Sequence, residues 1–315
     1  MGRFILRRLA GLVLTMLAAA ILIFLLLEVL PGDPAATMLG VSATPETVAA
    51  LRVELGLDRP ALARFLSWIA GLFTGDLGIS YTYRVPVGGL IAERIAVTLP
   101  LAAMALVLAA AIGVTLGTFA ASRASGPVDA AIMALSQLGL AIPNFWFGIL
   151  FVLLFSVTLG WFPSGGFPGW QADPVNAFRA LVLPAFALAL PQSAVLARMT
   201  RTSMLETLGE DFIRTARAKG LNRAQVLRRH ALRNALIPVI TILGLQFSFL
   251  LAGTIIVENV FALPGLGRLL VQAVGGHDLI LIKSLVLLFV GMVIVVSTVV
   301  DLAYGLIDPR LRVSG

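Results

Sequence analysis

The sequence has no cysteine and only two histidines among its 315 residues. Without cysteine the chain forms no disulfide bond and has neither a thiolate nucleophile nor a cysteine-ligated metal. His230 and His277 lie far apart along the chain, which argues against a histidine-based metal site. We therefore expect no metal on this chain.

Charged residues are also scarce, at 12% of the chain. Soluble domains typically carry about 25%. Hydrophobic residues make up 59%, and the mean hydropathy is +1.00. This composition predicts an integral membrane protein. Its net charge of +7 is better explained by membrane topology than by nucleic-acid binding, because most of the basic residues fall in segments predicted on one side of the membrane.

Six runs without a charged residue predict six membrane spans. A bilayer core about 30 Å thick needs roughly 20 helical residues, and only helices suit spans this apolar. The expected fold is therefore an all-α membrane protein with six transmembrane helices. The first run is longer than the apolar part of a signal peptide, so we expect it to be retained. The runs are Leu9–Leu27, Ile95–Ser122, Ala130–Ala172 (a span plus an outer loop), Ala180–Ala197, Asn234–Val257 and Ser284–Val300.

The distribution of Lys and Arg predicts the orientation. With the N-terminus inside, the cytoplasmic side holds 15 of the 23 basic residues, and both termini are cytoplasmic. Three regions follow: residues 1–30 form the N-terminus and first span, 31–94 lie outside, and 95–315 form a five-helix core. A cytoplasmic loop is expected at about 199–233.

The outer segment has two interpretations. Helix-like stretches at Glu46–Leu57 and Pro60–Leu72 favour a small folded cap. Alternatively, the segment lies on the membrane, with Trp68, Tyr81 and Tyr83 as interfacial anchors.

Prolines interrupt the third and fourth spans, at Pro143 and at Pro184 and Pro191. Proline removes a backbone hydrogen bond and kinks a helix. Such bends either line a transport pathway or reflect ordinary kinked packing. The polar residues of the fifth span also have two interpretations. Gln246, Ser248 and Thr254 either line the pathway or form interhelical hydrogen bonds. The pathway candidates are Pro143, Asn144, Gln246 and Ser248.

Three acidic residues, Glu28, Glu258 and Asp301, lie near the ends of spans. Ionisable groups inside a bilayer are functional candidates by default. Their position near the interfaces favours structural or snorkelling roles instead.

The cytoplasmic loop carries a pattern of helix, glycine and helix. Acidic residues at 210 and 211 suit a first helical turn, and Gly220 suits a left-handed C-cap. Asn222 and Gln225 form a capping-box pattern for a second helix, from Arg223 to about Asn234, which runs into Pro238 and the fifth span. Orientation alone needs only a few basic residues, so we interpret the loop as a docking element. Small residues Ala216, Ala218 and Gly220 on its surface would allow a partner to approach closely. The predicted docking residues are Glu210, Asp211, Phe212, Arg214, Thr215, Ala216, Arg217, Ala218, Lys219, Gly220 and Leu221.

This loop resembles the EAA loop of ABC-importer permeases. The general pattern agrees only at Ala216, Gly220 and Leu232, but the peptide/nickel-type variant, which carries Arg at the position of Arg214, matches closely. The resemblance covers essentially the whole chain and points to the first permease of a dipeptide or oligopeptide importer. The matching segments are Pro31–Ala35, Gly71–Ser80, Phe212–Leu221, His230–Pro238, Leu263–Arg268 and Leu306–Arg312.

The resemblance implies a type I importer fold in a bacterial cytoplasmic membrane. It implies a homologous second permease, two ATP-binding subunits and an extracytoplasmic substrate-binding protein as partners, besides membrane lipid and the peptide substrate. The loop at Arg214–Leu221 would be the coupling helix. The sequence has no Gly-x-x-x-x-Gly-Lys-Ser/Thr loop, so we expect it not to bind ATP in that manner. The resemblance therefore implies a pore subunit rather than an enzyme, with ATP and Mg in the partner subunits.

Other functions fit less well. A secondary carrier would show inverted repeats and mid-membrane acidic or histidine relays, and an intramembrane enzyme would need a nucleophile beside a base. Neither pattern is present in the sequence. Nickel chelates and glutathione-like solutes remain alternatives to peptides.

Overall fold

The computed structural model describes residues 2–29 and 33–307. Pro31 and Gly32 and the tail from Asp308 to Arg312 lie outside these residues, as does the side chain of Asp301. The described chain is helical, with one isolated antiparallel bridge between Ile79 and Pro86. Its helices are α1 (Gly2–Val29), α2 (Pro34–Leu39), α3 (Pro45–Glu54), α4 (Ala61–Thr74), α5 (Val87–Ser122), α6 (Pro127–Ala141), α7 (Asn144–Thr158), α8 (Pro174–Gly209), α9 (Asp211–Ala218), α10 (Arg223–Val260), α11 (Leu266–Gly275) and α12 (Leu279–Ile307).

The predicted number of spans agrees with the described helices. Five of them, α1, α5, α8, α10 and α12, are long and apolar enough to cross a membrane. The bent pair of α6 and α7 supplies a sixth if the two are counted as one span.

The third span is broken rather than kinked. The pair α6 and α7 bends by 96° at the break. Ile142 adopts an extended backbone (φ −91°, ψ 125°), and Pro143 then serves as the N-cap of α7. The residue before a proline disfavours the helical conformation, so α6 ends at Ala141 and a separate helix begins after Pro143.

The fourth span was expected to be broken by its prolines, and this expectation was wrong. α8 runs without interruption through Pro184 and Pro191 and continues twelve residues beyond Ala197, to Gly209. About 67% of its most apolar stretch is buried, so packing by neighbouring helices holds it together where the two prolines remove hydrogen bonds.

The chain divides into two compact units. One consists of the described residues up to Thr98 together with Pro264–Thr298, and the other of Leu99–Leu263 with the described residues from Val299 onward. α5 and α12 each contribute residues to both units.

In the second unit, α8 packs against α6, α7 and α10. α5 approaches α8 through Gly113 and Gly117, which are four residues apart and face the same way. A methyl group added to Gly113 would lie 2.5 Å from Leu196 Cβ, and one added to Gly117 would lie 2.6 Å from Thr200 Cβ. Small residues at this spacing let membrane helices approach closely.

In the first unit, the segment between α1 and α5 is folded. Trp68 is only 5% exposed and packs among Phe24, Phe65 and Leu287. Tyr81 is 7% exposed. A side chain that anchors the protein in the interface must lie on its outer surface, so the anchor interpretation is wrong for these two residues, whereas Tyr83 is half-buried.

A buried carboxylate ties this segment to the start of α12. Asp278 is fully buried and accepts hydrogen bonds from Ser80 Oγ at 2.5 Å and from the Thr82 backbone N–H at 3.0 Å. Its other oxygen accepts from the Leu281 N–H at 3.1 Å and so caps α12. One side chain thus fixes both the turn at Ser80–Arg84 and the first turn of a span.

Candidate functional site

The candidate site is built on the corner between α8 and α9. Glu210 has an extended backbone (φ −69°, ψ 151°) and is both the C-cap of α8 and the N-cap of α9. Since only one residue separates the two helices, α9 is attached directly to the end of a long, well-packed span.

α9 has one buried face. Ile213 is fully buried and Ala216 is 5% exposed. Both pack in a cluster with Met204 of α8 and with Val226 and Ala231 of α10. The placement of Ala216 on the docking surface was therefore wrong: it lies three residues after Ile213, on the same face of the helix, and packs against its own chain.

The other face of α9 is exposed and basic. Phe212 is 41% exposed, and Arg217, Ala218 and Lys219 are exposed as well. Arg214 forms an ion pair with Asp211 at 3.2 Å, and this pair is exposed to solvent. Exposed pairs contribute little stability, so the Arg214 guanidinium can leave Asp211 at small cost. Thr215 is exposed too, while Leu221 is half-buried.

The expected end of α9 is confirmed. Gly220 has φ +84°, the left-handed conformation that favours glycine, and its N–H donates to Arg217 O at 2.9 Å. The capping box is also confirmed: Asn222 N–H donates to Gln225 Oε1 at 3.0 Å, and Gln225 N–H donates to Asn222 Oδ1 at 2.9 Å. The second helix runs through Pro238 into the fifth span, and the two form the single long helix α10.

An ion pair that the sequence did not reveal supports this corner. Arg201 of α8 donates through Nε to Asp129 Oδ1 at 2.5 Å and through an Nη to Oδ2 at 2.7 Å. Asp129, in the first turn of α6, also accepts from the Ser125 N–H at 3.0 Å. The only signal was an acidic residue just after Pro127, at the start of a predicted span. Its partner is 72 residues away, so spacing could not identify it.

Besides Arg214, two basic residues of the predicted loop bind groups elsewhere in the chain. Arg201 binds Asp129, and Arg223 donates a hydrogen bond to the Ser122 carbonyl. Ser203 Oγ donates to Ala235 O at 3.0 Å and so joins α8 to α10. The other seven basic residues of the loop are exposed, and three of them, Arg214, Arg217 and Lys219, lie on or directly after α9. The other four are Arg198, Arg228, Arg229 and Arg233.

The pathway candidates occupy different environments. Pro143 is exposed at the α6–α7 break, and Asn144 is half-buried close to Gly253, where an added methyl group would lie 2.7 Å from Asn144 Nδ2. Gln246 is 6% exposed, and its Oε1 has no hydrogen-bond donor among the described residues. Ser248 is half-buried in the same helix.

The acidic residues near the span ends also differ. Glu28 forms an ion pair with Arg64, which fits a structural role. Glu258 is fully buried, so it does not snorkel to an interface. Among the described residues, no group of three His, Cys, Asp or Glu side chains is arranged to hold a metal ion.

Comparison with known proteins identifies the family. Residues 113–313 match the model of the binding-protein-dependent transport system inner membrane component, and residues 1–102 match the N-terminal model of the same membrane component. The chain belongs to this family of ABC-importer permeases. It is accordingly a multi-pass membrane protein and the permease subunit of a transporter.

Relatives in this permease family match over the full length. One from Brucella abortus, named as a peptide transport system permease protein, is 46% identical over 312 residues, which is 99% of each chain. The glutathione transport system permease protein of Salmonella choleraesuis is 42% identical over 312 residues, again 99% of each chain. A crystal structure of the methionine ABC transporter MetNI in an inward-facing conformation matches with a TM-score of 0.58 at 19% identity. The match covers 70% of this chain and 96% of the MetNI chain, and at this identity it establishes only the fold.

Proposed function

We propose that this permease carries short peptides across a bacterial cytoplasmic membrane as part of an ATP-driven importer. The observation that supports the substrate class best is the full-length identity of 46% to a relative named for peptide transport. Glutathione is itself a tripeptide, and the relative named for glutathione transport is 42% identical. Glutathione-like solutes are therefore the second candidate.

The proposal includes four kinds of partner: a homologous permease, two ATP-binding subunits, a substrate-binding protein and lipid. Both termini and α9 are placed in the cytoplasm, with residues 31–94 outside. This orientation follows from the distribution of basic residues. ATP and Mg are assigned to the partner subunits, because this chain has no phosphate-binding loop.

Within this proposal α9 is the coupling element. Its inner face, at Ile213, is packed in a core cluster, while its outer face presents Phe212 and a group of basic residues to solvent. A helix fixed to a span on one side and open on the other can transmit the movement of a partner as a rigid-body displacement. Arg214, Arg217 and Lys219 would form charge-assisted hydrogen bonds with that partner.

The coupling role is tested by placing bulk on the outer face. We expect Ala218→Trp to preserve the fold and abolish both co-purification of the ATPase subunits and peptide uptake, because a large ring at an exposed small residue blocks close approach. Ala172→Trp, exposed in the loop before α8, is the matched control and should leave both properties unchanged. Normal co-purification and uptake with Ala218→Trp would show that this face of α9 contacts no partner.

The substrate is tested separately, in cells that lack their own peptide permeases and express the complete importer. Uptake of a labelled dipeptide that unlabelled dipeptides inhibit, and glutathione does not, would support the first candidate. The reverse pattern would support the second. Uptake inhibited by neither compound would contradict the proposed substrate class.

A further inference from the structure

A cavity of about 230 Å³ lies in the first unit, where α1 ends and α12 begins. Its walls come from Phe24, Leu27 and Glu28 of α1, the turn at 55–59, α4, the turn at 76–81 and the first residues of α12. Because α1 and α12 are both membrane spans, a cavity at the end of one and the start of the other lies at the depth of the lipid headgroups.

Two hydrogen-bond donors in this cavity lack an acceptor. Trp68 is 5% exposed, and its Nε1–H has no acceptor among the described residues. Lys283 Nζ lies 5.2 Å from the centre of the Trp68 ring, and among the described residues its ammonium group has no hydrogen-bond or ion-pair partner. A buried N–H without an acceptor is costly, so an acceptor atom bound beside Trp68 would be stabilising.

Each carboxylate in the cavity wall already accepts a hydrogen bond through one of its oxygens. Glu28 accepts from Arg64, whose Nε donates to Arg59 O at 3.2 Å. Asp76 accepts from the Gly78 N–H at 3.0 Å. Arg59, Arg64 and Lys283 face only two carboxylates in the cavity lining, so the cavity carries an excess of positive charge.

Two of the helices that form the cavity, α1 and α4, also carry exposed apolar side chains. On α1, Leu25 and Leu26 are 54% and 61% exposed, and on α4, Leu62 and Leu66 are 67% and 57% exposed. Acyl chains pack well against such surfaces at the boundary of a span. A ligand with one negative charge and apolar chains would satisfy both the orphan donors and the exposed leucines.

We propose that this cavity binds the phosphate of an anionic phospholipid, with Lys283 and the Trp68 Nε1–H as its donors. The phosphodiester carries one negative charge and several acceptor oxygens. A bound lipid would then join α1, α4 and α12 within the first unit. This site is separate from α9 and does not depend on which solute is transported.

The test uses the full-length chain in detergent, titrated with phosphatidylglycerol and followed by native mass spectrometry. We expect Lys283→Met to weaken lipid retention about tenfold, the effect of losing one charge-assisted hydrogen bond. Trp68→Phe should weaken it several-fold, because it removes the N–H and keeps an aromatic ring. Lys283→Arg should restore most of the retention. Arg84→Gln is the matched control, since Arg84 pairs with Glu54 outside the cavity lining, and it should change nothing.

Three results would overturn the proposal. Equal retention by the wild type and Lys283→Met would show that Lys283 binds no lipid phosphate. Equal binding of diacylglycerol, which lacks the phosphate, would show that the headgroup is not recognised. Displacement of the lipid by glycerol 3-phosphate at the same concentration would assign the cavity to a free anion rather than to a lipid. Thermal unfolding of each variant separates lost binding from lost folding.

Discussion

The ion pair between Asp129 and Arg201 gives the sharpest prediction about the scaffold of α9. Both oxygens of Asp129 accept from Arg201, and the Asp129 side chain is 5% exposed against 27% for Arg201. Removing one partner of a buried pair costs about 3–5 kcal/mol, because the other charge is left uncompensated.

The unequal burial of the partners predicts an asymmetry between the two single substitutions. Asp129→Leu leaves Arg201 able to reach water, so we expect the lower end, about 3 kcal/mol. Arg201→Met leaves the buried Asp129 carboxylate with only the Ser125 N–H as a donor, so we expect a destabilisation at the upper end of this range, about 5 kcal/mol. The double variant Asp129→Leu/Arg201→Met should be less destabilised than either single variant, because apolar replacements of a buried pair are often neutral.

The assay is thermal unfolding of the detergent-purified chain, with near-ultraviolet circular dichroism as the probe. A loss of about 3 kcal/mol corresponds to a fall of about 6–12 °C in the melting temperature of a domain of this size. Additive losses in the double variant, or equal losses in the two single variants, would refute the reasoning. Either result would mean that the pair contributes no coupling energy or that burial does not control its cost.

Three further predictions concern glycine positions and pH. Gly220→Pro should leave membrane insertion intact and abolish uptake, because φ at this residue is +84°. Gly220→Ala should lower the free energy of unfolding by about 1 kcal/mol and retain some uptake. Normal uptake by the proline variant would show that α9 has no part in the coupling mechanism. Gly117→Ala should destabilise the chain by about 1–3 kcal/mol in a melting assay, because the added methyl lies 2.6 Å from Thr200 Cβ. Gly139→Ala is the control, since the nearest neighbour of its added methyl is 3.6 Å away. Equal melting temperatures of the two variants would contradict the close approach of α5 to α8. Burial, and then the charge of Asp278, raise the pKa of Tyr81 from 10.0 to about 12, so its contribution to stability is complete below pH 10 and lost as pH rises to 12. Tyr81→Phe should flatten the stability curve over that range, and an unchanged curve would show that Tyr81 titrates normally.

Several features of this protein were determined by local sequence alone. A helix cap depends on residues within one turn, so Gly220 and the Asn222–Gln225 pair identified the end of α9 and the start of α10. The spans followed from the low charge and the length of the apolar runs, because a bilayer imposes both. Outside the caps, the predicted boundaries were too short, since α8 and α10 continue well past their apolar segments.

Other features required the tertiary structure. Whether Ala216 faces a partner or its own chain depends on Met204 and Val226, which lie before and after it in the sequence and meet it only in the fold. The role of Arg201 also depends on the fold. In the sequence it is one of several basic residues of the loop, and only the packing of α6 against α8 brings Asp129 next to it. The prolines show the contrast most clearly: Pro143 ends a helix and Pro184 does not, although both remove a backbone hydrogen bond. The difference lies in packing, since Pro184 is buried among helices that support α8, while Pro143 is exposed at a break. The sequence determines which hydrogen bonds and ion pairs a side chain is able to form. Which of them it does form depends on the residues that the tertiary structure places next to it.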